Sequence, residues 1–62
     1  MNQRDLVKKF SEDIRESNQV TFPIAVDAFT NLWNYEFGSL DSLPEDVDVL
    51  IAFKARELGL LE

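Results

Sequence analysis

Ser42-Leu43-Pro44-Glu45-Asp46-Val47-Asp48-Val49-Leu50-Ile51-Ala52-Phe53-Lys54-Ala55-Arg56-Glu57-Leu58-Gly59 is the stretch that decides between an all-helical chain and one containing a strand. Val47, Val49, Ile51 and Phe53 alternate with other residues, which suits a half-buried strand. The flanks argue for a helix. Ser42-x-x-Glu45 matches the capping-box pattern, and Pro44 suits a first turn, where its missing N–H costs nothing. Ala52, Lys54, Ala55, Arg56 and Glu57 agree with the helical state, and Gly59 supplies a stop. Leu60 beyond it suits the apolar contact of a Schellman ending. The spacing therefore predicts a helix over about residues 44–58, with Val47, Leu50, Ile51, Ala55 and Leu58 on its inner face. Val49 and Phe53, four residues apart, are left on the opposite side.

Across the whole chain, two glycines and two prolines are the only strong breakers, and they fall at helix boundaries. Leu6, Val7, Phe10 and Ile14 recur at helical spacing and define a one-faced helix over about residues 3–17. The polar run Ser17-Asn18-Gln19 ends it, because such side chains compete with the helical backbone. Thr21 is placed to cap a second helix, about residues 22–37, with Pro23 in its first turn and Gly38 at its end. Phe22, Ala25, Val26, Phe29, Leu32, Trp33 and Phe37 project to one side of this helix. Ile24, Ala28 and Tyr35 form a second stripe beside them, so apolar residues span roughly 220° against the ~100° of an ordinary surface helix. The expected fold is all-α, a small three-helix bundle forming one domain over residues 1–62. Phe10, Phe22, Phe29 and Trp33 are expected in its core.

A 62-residue chain with 45% hydrophobic and 29% charged residues folds rather than staying disordered. At this length only ~60% of the unfolded surface is buried, so stability is marginal without a staple or a partner. No cysteine is present, which removes disulfides and thiolate chemistry. No histidine is present either, which removes the commonest metal ligand and general base. Three short helices hardly enclose a cleft, and Asp46 and Asp48 point to different sides of a helix, so no enzyme activity is expected. The acids from Asp41 to Asp48 lack the alternation, central glycine and closing glutamate of a calcium loop, so neither metal nor cofactor is expected. The apolar runs fall far short of the ~20 residues that span a bilayer. The amino terminus lacks the apolar segment of a secretory signal, so no membrane helix and a cytoplasmic location are expected.

The net charge is −6. Its distribution is uneven: acids and bases cancel in residues 1–16 and again in 54–62, whereas Asp27, Glu36, Asp41, Glu45, Asp46 and Asp48 share residues 17–53 with no Lys or Arg. Helix-dipole preferences account for Glu45 and Asp46 in a first turn, but not for the absence of bases over the nearly thirty residues before them. This field repels phosphate. A third helix that begins with Glu45-Asp46-Val47-Asp48 is also unlike a recognition helix, so direct nucleic-acid binding is not expected.

The function expected is contact with another protein. Ile24, Ala28, Tyr35, Val49 and Phe53 would form the apolar docking stripe, and Asp27, Glu36, Asp41, Asp46 and Asp48 an acidic rim steering a partner with a basic surface. Tyr35 suits this because tyrosine is favoured where an apolar body meets a wet rim. Two other classes fit the composition. One is a phosphate-mimicking inhibitor of a nucleic-acid-binding enzyme, a comparison with small acidic phage or mobile-element proteins by size and charge alone. The other is a self-associating homodimer whose spare apolar stripes meet across a two-fold axis.

Overall fold

A computed structural model describes residues 2–60. The described residues form three α-helices, α1 at Gln3–Glu16, α2 at Thr21–Phe37 and α3 at Glu45–Glu57, with a short 3₁₀ turn at Leu40–Ser42 between the last two. Residues 47–53 are helical, not extended. Asn2 caps α1, its Oδ1 accepting from the Asp5 N–H at 2.8 Å, and Ser17 ends the helix with its hydroxyl donating to the Ile14 carbonyl. The three-helix bundle expected from the periodicity is therefore the observed fold, with each boundary within one residue of its expected place.

Two of the caps differ from expectation. Thr21 does not cap α2: Asn18 Oδ1 accepts from the backbone N–H of Val20 and Thr21 at 2.8 and 2.9 Å. Thr21 Oγ1 in return accepts from the Asn18 N–H at 2.9 Å. The pair forms a reciprocal capping box three residues earlier than expected, because the Asn18 carbonyl already accepts from the Phe22 N–H and so opens the helical ladder. Ser42 does not cap α3 either. Its hydroxyl accepts from Trp33 Nε1 at 3.0 Å and donates to the Ser39 carbonyl. Trp33 is fully buried, and an indole N–H withdrawn from water needs a partner more than an exposed helix end does. Pro44 precedes α3 without any side-chain cap.

The carboxyl ends follow the glycines. Gly38 has φ +77°, and its N–H donates to the Asn34 carbonyl at 2.8 Å. Gly59 also has φ +77°; its N–H donates to Arg56 and that of Leu60 to Ala55, which is the Schellman pattern. A Cβ at Gly38 would meet nothing within 4 Å, so only backbone strain opposes a side chain there. Gly38→Ala should therefore cost about 1 kcal/mol, read as a urea midpoint lower by about 1 M. An unchanged midpoint would show that α2 can end without this turn.

Leu6, Phe10 and Ile14 of α1, Phe22, Phe29 and Trp33 of α2, and Val47 and Ala55 of α3 form the buried core. Phe10 stacks on Phe29 with ring centroids 4.0 Å apart, and Trp33 tilts between Phe29 and Phe37. No polar or charged residue is buried among the described residues, so the core is held by apolar burial and aromatic packing. α1 packs against both α2 and α3. Two polar links tie the other end of the bundle: Lys54 Nζ donates to the Arg15 carbonyl at 3.2 Å, and Gln19 Nε2 to the Leu58 carbonyl at 2.7 Å. Helix α1 thus has a neighbour on each flank, which decides where the remaining apolar residues lie.

Candidate partner-docking surfaces

On α2, Ile24, Ala28 and Tyr35 follow one another at four and seven residues, with Asn31 in the same row. All are exposed: Ile24 at 64% and Tyr35 at 85%. Ala28 and Leu32 line an open groove between α1 and α2, whose α1 side is formed by Leu6, Lys9, Phe10 and Asp13. Over the seventeen residues of α2 the only charged side chains are Asp27 and Glu36. An outward side with so little charge is unusual for a helix in water, where the solvated face is normally charged and polar.

Val49 and Phe53 on α3 are exposed at 66% and 72%. With Ala52, Arg56 and Glu57 they line a shallow depression on the outer side of α3, and Phe53 also borders a groove against Ser11, Ile14 and Arg15 of α1. On α1, Lys9 and Asp13 stand on one flank of the buried Leu6–Phe10–Ile14 row, and Ser11 and Arg15 on the other. The α2 and α3 residues therefore lie to either side of α1. The stripe expected as one surface is two, because α1 seats itself between the helices that carry it.

The acidic residues are exposed as well. Asp46 and Asp48 lie in the first turn of α3, and Asp41 is the middle residue of the 3₁₀ turn, where its N–H donates to Ser39 Oγ. Acids in the first turn of α3 favour its dipole by about 0.3–1 kcal/mol each, which gives Asp46 and Asp48 a structural role of their own. Asp27 and Glu36 are different. Asp27 sits mid-helix with a long contact of 3.5 Å from Asn31 Nδ2, and Glu36 occupies the last turn of α2, the end where the dipole disfavours it. Neither is paired: the one ion pair among the described residues joins Lys54 to Glu57 at 2.8 Å. Among the described residues no trio of carboxylates gathers closely enough to hold a metal ion. No helix described is long and apolar enough to cross a membrane.

Sequence reasoning missed four exposed apolar residues. Val20 stands one turn before Ile24, so continuing the i, i+4 row backwards would have found it. Leu32 falls within the inward-facing arc of α2, yet its place at the edge of that arc leaves it in the groove beside α1. Leu40 and Leu60 lie outside the long helices, where no periodicity marks a face. No protein-family model matches the chain, and neither a curated protein nor a solved structure matches it.

Proposed function

We propose that this protein is a docking module, neither an enzyme nor a binder of nucleic acid, and that it holds another protein against the outer face of α2. Ile24, Ala28 and Tyr35 make the apolar contact, and Asp27 and Glu36, the two charged side chains of the same helix, favour a partner with basic residues at the matching rim. The observation that carries this reading is Tyr35: the residue is 85% exposed on a helix whose solvent side is nearly free of charge. A solvated face has no use for such a residue, and an aromatic anchor at a contact does.

The test is retention of a partner from a cell extract by the immobilised chain, compared with a Tyr35→Ala variant of equal helicity at low and high salt. The same dominant protein should be retained at both salt concentrations and fall by about 10-fold or more with Tyr35→Ala, as expected of a tyrosine hot spot. A partner that leaves at high salt and ignores the Tyr35 change would replace this reading with a charge-driven one, in which the acids imitate phosphates.

A further inference from the structure

The outer face of α3 is separate from the α2 surface and has its own chemical order. Asp46, Val49, Phe53 and Arg56 succeed one another at three, four and three residues, the a/d spacing of a coiled-coil seam. At 100° per residue the four project within an arc of about 80°, opposite the buried Val47 and Ala55. All four are exposed, and neither Asp46 nor Arg56 has an ionic partner within its own chain among the described residues. The row thus reads acid, apolar, apolar, base, with Ile51 at its midpoint: Val49 and Phe53 lie two residues to either side of it, and Asp46 and Arg56 five.

We propose that this face binds a second copy of the chain, with the two α3 helices antiparallel about a two-fold axis at the level of Ile51. In that arrangement a positions meet d positions. Val49 of one copy lies against Phe53 of the other, and Asp46 against Arg56, each pairing occurring twice. A parallel arrangement would set Asp46 against Asp46 and Arg56 against Arg56, so charge alone selects the antiparallel one. The flanks nearest the axis are Leu50 and Ala52, which are uncharged and, in the case of Ala52, small enough for close approach. Glu57, near the end of the seam, is already held by Lys54. About three turns of one helix bury less than the ~1,200 Å² of a standard interface, so the association belongs in the range of tens to hundreds of micromolar.

Sedimentation equilibrium of the pure full chain, from about 10 μM to about 2 mM, is the test, with helicity followed by circular dichroism. The mean mass should rise from one copy towards two. Asp46→Arg and Arg56→Asp should each remain single-copy over this range, yet an equimolar mixture of the two should associate, because Arg at 46 then meets Asp at 56 and Arg56 meets Asp46. That recovery also shows that neither variant had merely unfolded. Phe53→Ala should weaken association at least 10-fold, and Tyr35→Ala should leave it unchanged. A wild-type chain that stays single-copy throughout, single charge variants that associate as well as wild type, a mixture that does not associate, or loss caused by Tyr35→Ala would each overturn the proposal. All of these are read on pure protein, so they stand apart from the fate of the α2 docking surface.

Discussion

Trp33→Ala should leave the chain largely unfolded at 25 °C. The indole is fully buried, within ring-packing distance of Phe29 and Phe37, and its N–H is the donor to Ser42 that fixes the 3₁₀ turn leading into α3. Removing a buried tryptophan costs about 3–5 kcal/mol, and a single small core of this size rarely supplies more than about 3–5 kcal/mol in total. The variant should lose most of its helical signal at 222 nm and show no cooperative urea transition. Trp33→Phe separates the two roles of the side chain. It keeps the apolar ring but not the N–H, and because Ser42 is exposed and retains its bond to Ser39, the loss should be only about 1–2 kcal/mol with a cooperative transition preserved. A Trp33→Ala chain that melts cooperatively within 1 kcal/mol of the wild type would mean that the core does not depend on this residue.

A second pair of substitutions distinguishes the helix at residues 47–53 from the strand its alternation imitates. On a strand, Val47 and Val49 share a face, so aspartate should be equally damaging at both. On α3 the two residues are about 200° apart: Val47 is fully buried among apolar side chains, and Val49 faces outward. Val47→Asp places a carboxylate where no polar group is buried to receive it, a penalty of several kcal/mol that exceeds the stability available. Val49→Asp changes an exposed position near the favourable end of the helix dipole and should move the urea transition by less than about 0.5 kcal/mol. Equal loss at the two positions would contradict the placement of α3. If Val49→Asp leaves stability intact and abolishes self-association, the same substitution also bears on the antiparallel seam.

Much of the fold was legible in the chain because its signals act over a turn or less. The row Leu6–Phe10–Ile14, Pro23 after the start of α2, and the left-handed glycines at 38 and 59 each depend on local geometry, so the three helices and their ends can be read one at a time. Cap assignment was less legible. Ser42 has the right spacing for a cap, but its hydroxyl is claimed by Trp33, nine residues away in sequence and brought beside it only by packing. The same limit applies to the candidate sites. Helical spacing identifies Ile24, Ala28 and Tyr35 as one row and Val49 and Phe53 as another, but not whether the rows adjoin.

What the sequence determined unaided is therefore the inventory: three amphipathic helices, a middle one with more apolar circumference than one side can hide, and an acidic stretch without bases. What only the tertiary structure decided is the seating of α1, which packs on both other helices and parts the apolar rows into an α2 surface and an α3 surface. The physical reason is that periodicity sets a side chain's direction about its own helix axis, whereas the choice of which direction becomes interior depends on neighbours from distant parts of the chain, each competing to cover the same apolar area.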